Sequence, residues 1–317
     1  MYEAFTNGVK MDFTYSVITA HYDNVSLLKE MLKTIPERSD IQLIVVDDSS
    51  YEDPGMLKRE LGEDVLKRIE LYYNPSPVHG AGRCRNEGLE HAKGKWVLFV
   101  DSDDALSDNA FEVLDRYRDA EEDIIYFIPW SLVMPGLEEG SRHKTYEKVI
   151  REYLADPSKE DLVRYKLYAP WSKLIRREML EKNKVRFDTC CWSEDVMFSV
   201  KAAYNAGRIA ACEEKIYCIT EREGSLTSHV SPHKYQVSVW VYAREYMYLK
   251  KRLDEETFKK VAEWPGGKII RAVMGGYGFP MVKYILKLYR KYGIKVDIRD
   301  IGAEYIKSSL DFLRRTI

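Results

Sequence analysis

Short apolar runs alternate with helix-like stretches over the first 130 residues of the chain. The runs are rich in β-branched and aromatic residues, as strands covered on both faces are, and span residues 15–20, 41–46, 68–73, 96–100 and 124–128. Helices are predicted before Pro36, over residues 80–93 and near residues 109–118. This alternation predicts an α/β fold with a Rossmann-like, doubly wound, mostly parallel sheet.

The pattern changes after residue 128. Residues 129–144 are expected to be loop-rich and to end the first half of the fold. A further strand is predicted over residues 216–220, and the chain is predicted to be helical from about Val239 onward. The chain contains no internal repeat and no low-complexity segment.

Three carboxylates follow the predicted strand 96–100 within four positions. Asp101, Asp103 and Asp104 would lie at the rim of the sheet, where open α/β folds bind ligands. Like charges this close repel, and a hard divalent metal with oxygen ligands would compensate them. A metal there could bridge the phosphates of a nucleotide. The structural alternative is that Asp104 and Ser107 cap the next helix and the other acids are solvated.

Composition narrows the class of protein. The 317 residues carry a net charge of −2, so no overall positive field favours a nucleic-acid partner. The five cysteines are odd in number and lack metal-ligand spacing, which is typical of reduced thiols in a cytosolic protein. The chain has neither a signal peptide nor an apolar stretch of ~20 residues. We therefore expect a cytoplasmic protein that does not span a membrane.

Two common nucleotide-binding motifs are excluded. The chain has no Gly-x-x-x-x-Gly-Lys-Ser/Thr phosphate loop. Gly80 and Gly82 match the first two glycines of a dinucleotide-binding loop, but Arg85 stands where the third glycine is needed. This loop also follows the third predicted strand, not the first. A Rossmann dehydrogenase is therefore not expected.

Four segments at the carboxyl ends of predicted strands resemble the inverting glycosyltransferases of family 2. Residues 16–23 (S-V-I-T-A-H-Y-D) resemble S-V-I-I-P-x-Y-N, with Ala20 in place of proline. Residues 45–53 resemble V-V-D-D-G-S-x-D, and residues 80–89 (G-A-G-R-C-R-N-E-G-L) resemble G-x-x-x-A-R-N-x-G-L. Residues 99–104 contain the family's D-x-D. The order and spacing of the four agree over about the first 130 residues.

The second half of the chain continues the resemblance. Residues 169–178 resemble the W-x-K-L-x-R-R segment of polysaccharide-building members, residues 192–198 resemble E-D-x-x-F, and residues 222–227 resemble R-x-x-G-S-x-T. The resemblance implies a GT-A fold with an acceptor-side extension and C-terminal helices. It implies an N-terminal tail over residues 1–12 and one domain with two halves. Residues 13–130 would form the nucleotide-sugar-binding half, and residues 131–238 the acceptor-binding and catalytic-base half. Residues 239–317 would form a C-terminal helical region.

The resemblance also implies a donor site with a divalent metal, Mn²⁺ or Mg²⁺. Asp103 would bind the metal, and Asp101 would contact it or the ribose, while His229 is a further candidate for the metal or the phosphate. Asp48 would accept the imide N–H of a uracil. The other residues expected against the donor are Thr19, Ala20, Tyr22, Asp47, Arg85 and Ser102.

Several of these donor-site residues have a structural alternative. Asp47 and Asp48 could form a turn, because aspartate side chains bond readily to the nearby backbone. Arg85 could form a surface salt bridge with Glu87 or Glu90. Tyr22 could be an aromatic residue at the edge of the core, and a single histidine is more often unliganded than bound to a metal.

An inverting transfer needs one general base to take the proton of the acceptor hydroxyl. The resemblance gives this role to Asp195, with Glu194 as the second choice; both begin a predicted helix. The alternative for this pair is charge compensation at the helix N-terminus. Trp192 is expected to stack on an acceptor sugar, whereas Trp171 is expected in the core.

A predicted helix over residues 281–295 has a polar face of one sign. Its apolar face includes Met281, Ile285 and Leu288, and its polar face carries Lys283, Lys287, Arg290 and Lys291 with no acid. A basic amphipathic helix of this kind can lie on an anionic membrane. The alternative is that its apolar face packs on the catalytic domain.

These observations predict a metal-dependent inverting glycosyltransferase that uses a nucleoside-diphosphate sugar, with a UDP-sugar the expected donor. The expected acceptor is a saccharide or lipid-linked saccharide of cell-surface polysaccharide synthesis, at the inner face of the membrane and without nucleic acid. Two other classes stay open. A sugar-1-phosphate nucleotidyltransferase would place a glycine-rich loop after the first strand, where residues 19–22 have none. A non-catalytic binding or scaffolding module would be favoured if Asp103 or Asp195 were missing, and both are present.

Overall fold

The computed structural model of the chain describes residues 13–51, 53–222 and 230–296. The predicted tail 1–12 and His229 lie outside these ranges. The described strands belong to one sheet. They are β1 (Tyr15–His21), β2 (Ile41–Asp47), β3 (Glu70–Tyr73), β4 (Trp96–Phe99), β5 (Ala105–Leu106), β6 (Ile124–Val133), β7 (Glu138–Glu139), β8 (Lys173–Arg176) and β9 (Ile209–Glu221).

Helices connect the strands and follow the sheet at its C-terminal end. Those between β1 and β9 are α1 (Val25–Lys33), α2 (Pro54–Leu61), α3 (Glu63–Leu66), α4 (Ala81–His91), α5 (Ala110–Asp115), α6 (Lys144–Ala155), α7 (Glu160–Lys166), α8 (Arg177–Lys182) and α9 (Glu194–Asn205), with a 3-10 turn at Pro157–Lys159. The later ones are α10 (Pro232–Lys250), α11 (Glu255–Val261), α12 (Gly266–Met274) and α13 (Gly278–Tyr292).

The first half of the sheet has the predicted parallel arrangement. Strand β1 pairs in parallel with β2 on one side and with β4 on the other, and β2 pairs in parallel with β3. Each connection passes through at least one helix, as parallel neighbours require. Helix α1 begins where the sequence predicts, because the Asn24 side chain accepts a hydrogen bond from the Leu27 amide at 3.1 Å.

The second half of the sheet is mixed. The order is β3-β2-β1-β4-β8-β6-β9-β5, with β8 antiparallel to both β4 and β6 and β7 paired to β6. The expectation of loop over residues 129–144 is wrong at its start, since β6 continues to Val133. Pro129 is tolerated there because the register of β6 against β9 shifts between Ile128 and Pro129, and a bulge frees its nitrogen from the ladder.

The sheet runs continuously through the two predicted halves. The division at residues 130/131 lies inside β6, and the division at 238/239 lies inside α10. Strand β8 comes from the second half of the sequence, yet it is hydrogen-bonded to β4 of the first half. Residues 15–221 are therefore built around one sheet.

Both faces of the sheet are covered by helices, which confirms the predicted α/β fold class. On one face, buried Leu28 of α1 and Leu114 of α5 pack against the strands. On the other, Leu89 of α4, Leu180 of α8 and Phe198 of α9 form a second core cluster. In β1, β2, β4 and β6, alternate apolar residues supply the two clusters, as a doubly covered sheet requires.

The described part of the predicted C-terminal region is mainly helical, and α10, α12 and α13 share a core of their own. Residues 297–317 of that region lie outside the described ranges. Met281, Ile285, Leu288 and Tyr289 of α13 are buried in one cluster with residues of α10 and α12. The apolar face of the predicted basic helix is therefore buried within the protein, but against α10 and α12 and not against the sheet clusters of the catalytic domain that the alternative named. None of the helices in the described ranges combines the length and the apolar composition that a membrane span requires.

The approach of residues 92–95 to β1 gives a prediction about stability. A Cβ atom on Gly94 would lie 2.5 Å from the Ser16 backbone nitrogen. We therefore expect Gly94→Ala to lower the free energy of unfolding by about 1–3 kcal/mol, since backbone atoms of a central strand cannot move aside cheaply. Equilibrium unfolding in urea measures this. At Gly136 the nearest atom would be 3.8 Å away, so Gly136→Ala is the matched control, and equal losses in both variants would contradict the packing argument.

Candidate active site

Polar residues at the carboxyl ends of parallel strands gather at one edge of the sheet. Asp48 follows β2, and Asp101 and Ser102 follow β4, on either side of the end of β1. Thr19 of β1 is buried, Ala20 is half-buried, and the side chain of Tyr22 is 63% exposed. Helix α4 begins over this edge, so that its N-terminal turn faces the strand ends. These residues form the candidate donor side of the site.

Asp47 and Asp48 make different contacts. Asp48 accepts hydrogen bonds from the Asn74 side chain at 2.6 Å and from the Gly80 amide at 2.7 Å, so it anchors the loop that leads into α4. Asp47 instead accepts bonds from the amide and the hydroxyl of Ser50. The contacts of Asp47 are therefore those of a local turn, as the structural alternative proposed. The contacts of Asp48 are instead with Asn74 and with Gly80 at the start of α4.

The Arg85 guanidinium joins two distant acids. It donates to Asp101 at 2.8 Å and to Glu194 at 2.8 Å, and it lies over the ring of Phe187. Arg85 is buried; burial alone would lower its pKa, but Asp101 and Glu194 outweigh this and raise it above its ordinary value.

The predicted alternative for Arg85, a surface salt bridge with Glu87 or Glu90, is wrong. Glu87 lies 3.0 Å from His91, and Glu90 pairs with Arg186 at 2.8 Å. Arg85 points instead into the protein, where carboxylates from β4 and α9 converge on it.

Close packing between the starts of α4 and α9 makes this bridge possible. A Cβ atom on Gly82 would lie 2.2 Å from the Asp188 carbonyl oxygen and 2.9 Å from Cγ of Glu194. Asn86, one turn further along α4, exchanges two hydrogen bonds with the backbone of Phe187, at 2.8 and 3.0 Å. The segment before α9 is therefore fixed against α4, which brings Glu194 and Asp195 to the strand edge.

Asp104 has a structural role that differs from the predicted helix cap. It is buried and accepts hydrogen bonds from the Tyr217 hydroxyl at 2.7 Å and from the Thr220 amide at 2.8 Å. The Tyr217 hydroxyl in turn accepts a bond from the Asp101 amide at 3.0 Å. These bonds attach the acidic loop to β9, so the capping interpretation of Asp104 is wrong, and Asp101 and Asp103 are left for other partners.

The two remaining acids of the loop fit a metal that is shared with a substrate. Asp103 is solvent-accessible, yet the protein atoms around it and the neighbouring Asp101 raise the pKa of its carboxyl, so a nearby cation would be favourable. The described ranges hold no group of three or more His, Cys, Asp or Glu side chains arranged around one point. Mg²⁺ often binds through one or two carboxylates and completes its coordination with water and substrate phosphates. Asp101 and Asp103 match such a partial site.

Asp195 and Lys173 are desolvated ionisable groups on the other side of the Arg85 bridge. Burial and the neighbouring Glu194 raise the pKa of Asp195 to about 7. Lys173 of β8 is buried; it donates to the Leu167 carbonyl at 2.6 Å, and burial lowers its pKa to about 7. The negative charge of Asp195 acts to raise the pKa of Lys173, and the positive charge of Lys173 acts to lower the pKa of Asp195. Each side chain therefore stabilises the ionised form of the other.

Of the two tryptophans near the site, Trp171 occupies the environment that the sequence predicts. Trp171 is buried in the core and stacks on Tyr217 at 5.3 Å between ring centroids. Trp192 is half-buried beside Glu194, and the amino group of Lys234 from α10 lies 4.6 Å from its ring centroid. One face of Trp192 is therefore occupied by α10. Its role toward an acceptor stays a prediction.

Three residues that the structure brings to the site were not among the predicted site residues. Lys173 and Arg222 belong to segments that carry the family resemblance, which was the available signal, whereas Tyr217 looks like an ordinary strand residue in the sequence. Arg222 follows β9 near Asp103, and one of its terminal nitrogens is buried without a hydrogen-bond partner in the described part of the chain. A buried, unpaired guanidinium nitrogen beside an acidic loop suits an anionic ligand.

Comparisons with curated proteins find relatives among glycosyltransferases. The chain is 26% identical over 243 residues to the cholesterol galactosyltransferase of Borreliella burgdorferi, a match that covers 72% of this chain and 66% of that protein. It is 28% identical over 231 residues to the poly(ribitol-phosphate) β-N-acetylglucosaminyltransferase TarS of Staphylococcus aureus, which covers 70% of this chain and 38% of TarS. The chain thus spans between 38% and 66% of the length of these two relatives.

Solved structures show the same fold. TarS residues 1–349 in complex with UDP-GlcNAc superpose with a TM-score of 0.62 at 19% identity, covering 88% of this chain and 80% of that one. The mannosyltransferase PcManGT of Pyrobaculum calidifontis, in complex with GDP-Man and Mn²⁺, gives a TM-score of 0.54 at 13% identity, covering 96% and 81%. These neighbours confirm the GT-A fold. The model of the family described as glycosyl transferase family 2 matches residues 16–191, more than half of the chain, and the protein belongs to that family.

Proposed function

We propose that this protein is a metal-dependent, inverting glycosyltransferase that moves a sugar from a UDP-sugar to a saccharide or lipid-linked saccharide. The proposed setting is cell-surface polysaccharide synthesis at the cytoplasmic face of the membrane. The observation that carries the proposal is the Arg85 bridge, which ties Asp101 of the acidic loop to Glu194 beside Asp195. This bridge supports the proposal because it holds the acidic loop and Asp195 at the same edge of the sheet, and a direct displacement needs the donor and the proton acceptor close together.

The donor would lie over the carboxyl ends of β1, β2 and β4. Asp48 would accept a hydrogen bond from the nucleobase of the donor, which would lie beside Thr19 and Ala20. Asp101 and Asp103 would hold a divalent cation together with the diphosphate. When bound, that cation would neutralise the negative charge that develops on the leaving diphosphate. The unpaired nitrogen of Arg222 would donate to the same phosphates.

Asp195 is a better proton acceptor than Glu194. Glu194 already accepts a charge-assisted bond from Arg85 at 2.8 Å, which holds it in place and occupies one of its oxygens. Asp195 has no such partner within the described residues, and its pKa of about 7 lies close to neutral pH, where a general base is most effective. We therefore propose that Asp195 takes the proton of the acceptor hydroxyl while Glu194 fixes the start of α9.

The metal proposal is tested by Asp103→Ala. Asp103 is exposed and lies outside the core clusters, so the fold should be unchanged while transfer is lost and UDP binding no longer responds to Mn²⁺. Sugar-nucleotide turnover and calorimetric titration of UDP, each with and without Mn²⁺, measure both effects. Asp108→Ala, at another exposed acid nearby, is the control. Normal turnover of Asp103→Ala, or of the wild type in excess chelator, would refute the proposed metal dependence.

The base assignment is tested by Asp195→Asn and Glu194→Gln. Asp195→Asn removes the proton acceptor but keeps the size of the side chain, so we expect donor binding to survive while kcat falls by about 10²–10⁴-fold. Glu194→Gln should weaken the hold on Arg85 and lower activity less. Single-turnover rates at saturating donor distinguish the two variants. An inactive Glu194→Gln beside a nearly wild-type Asp195→Asn would reverse the assignment.

The pH dependence of kcat gives an independent test. A general base acts when ionised, so activity should rise with pH through the pKa of Asp195 near 7. Lys173→Met removes a cation that lowers this pKa, and the acidic limb should therefore move to higher pH. Lys201 lies on α9, as Asp195 does, so Lys201→Met is the matched control. An unchanged limb in Lys173→Met would show that Lys173 does not act on the base.

A further inference from the structure

Helices α12 and α13 and the residues up to 296 present exposed charge of one sign. Residues 264–296 contain seven lysines and arginines and no aspartate or glutamate. Lys268 pairs with Glu263 at 2.9 Å, and none of the other six has an ion-pair partner within the described ranges. The six are Arg271, Lys283, Lys287, Arg290, Lys291 and Lys295, and all are exposed.

Other exposed helices of the protein balance their charges. Arg151 pairs with Glu147 on α6, at 2.8 Å, and Lys259 pairs with Glu255 on α11, at 2.6 Å. Acids four residues from a cation are usual on a helix face that meets only water. A face with cations alone repels itself and gains most from a negatively charged partner.

Exposed apolar side chains lie among these cations. Phe279 is 76% exposed, the highest value for a large apolar residue in the described ranges, and Leu286 is 50% exposed. Phe279, Lys283, Leu286 and Arg290 follow one another at intervals of four, three and four residues, so they form one stripe along α13. Val273 and Met274 at the end of α12 are also exposed. We call these four apolar residues and the six cations the basic surface.

We propose that the basic surface docks the protein on an anionic lipid bilayer. A bilayer accounts for both features at once, because its phosphate headgroups attract the cations and its interface accepts Phe279 and Leu286. A second copy of the chain would bring like charges together. A dissolved polyanion would leave the apolar side chains in water.

The basic surface adjoins the acceptor side of the candidate active site through α10. Tyr277, between α12 and α13, donates to the Val230 carbonyl at 2.8 Å and stacks on Tyr235 of α10. Lys234 in the same turn of α10 lies over Trp192, next to Glu194. Docking would therefore bring this side of the site near the bilayer, where a lipid-linked acceptor is found; this consequence for the acceptor rests on the proposed function.

Vesicle binding tests the docking. The full chain is sedimented with vesicles of phosphatidylcholine alone, or of phosphatidylcholine and phosphatidylglycerol in equal parts. We expect binding to the second kind only, and weaker binding as salt increases. Replacing Lys283, Lys287 and Arg290 together by glutamine should weaken binding by about a hundredfold, since near-surface charges act additively on membrane affinity.

A matched control separates the basic surface from net charge. Lys58, Lys182 and Lys184 are exposed, form no ion pair with a described residue and lie on other elements. Their triple glutamine variant changes the net charge equally and should bind vesicles as the wild type does. Equal weakening in both triple variants, or no preference of the wild type for anionic vesicles, would overturn the proposal.

Phe279→Ser tests the apolar part of the basic surface. Loss of its insertion should weaken vesicle binding by about tenfold or more, whereas Leu154→Ser, at an exposed leucine of α6, should have no effect. Size-exclusion chromatography and thermal unfolding accompany both variants. If Phe279→Ser instead dissociates an oligomer and leaves vesicle binding intact, the basic surface is an interface between copies and the proposal is wrong.

The docking can fail or hold independently of the proposed catalysis. Vesicle binding needs no sugar nucleotide, so Asp103→Ala should sediment with anionic vesicles as the wild type does. The triple glutamine variant of α13 should retain turnover on a short water-soluble acceptor. A wild-type protein that turns over donor but does not bind anionic vesicles would overturn only the membrane proposal. A wild-type protein that binds anionic vesicles but turns over no sugar nucleotide would overturn only the proposed function.

Discussion

The buried guanidinium of Arg85 is the interaction on which the rest of the site depends. It joins Asp101, which follows β4, to Glu194, which begins α9 more than ninety residues later. A buried cation with two carboxylate partners is tolerable, but loss of either partner would leave a charge poorly compensated away from water. The bridge therefore couples the position of the acidic loop to the position of α9. Gly82 allows it, since a larger residue would hold the two helices apart.

This coupling gives neighbouring acids different chemistry. Glu194 and Asp195 are adjacent in sequence, but Arg85 holds Glu194 by a hydrogen bond while Asp195 is desolvated and has a raised pKa. A similar division separates Asp104, which binds Tyr217 in the core, from Asp103, which stays accessible. In each pair one carboxylate carries the structure and leaves the other available for reaction or binding. Burial and partners, not residue type, make the difference.

The C-terminal helices extend the same framework. Helix α10 contacts the segment before α9 twice, through the ion pair of Arg244 with Asp188 and through Lys234 over Trp192. The opposite side of α10 packs on α12 and α13, which turn their apolar faces inward and their cations outward. Any surface that holds α13 therefore also orients, through α10, Trp192 and the segment before α9.

The sequence by itself determined the elements and the edge of the sheet where the site lies. Apolar periodicity and local caps predicted the strands and helices of the first half, and the polar residues after β1, β2 and β4 indicated the site, because parallel strands end at one edge. Only the tertiary structure decided which partners meet there. Arg85 reaches Glu194 instead of Glu87, Asp104 binds β9 instead of capping a helix, and β6 continues through Pro129. Each of these depends on contacts between residues far apart in the chain, which a local pattern does not encode.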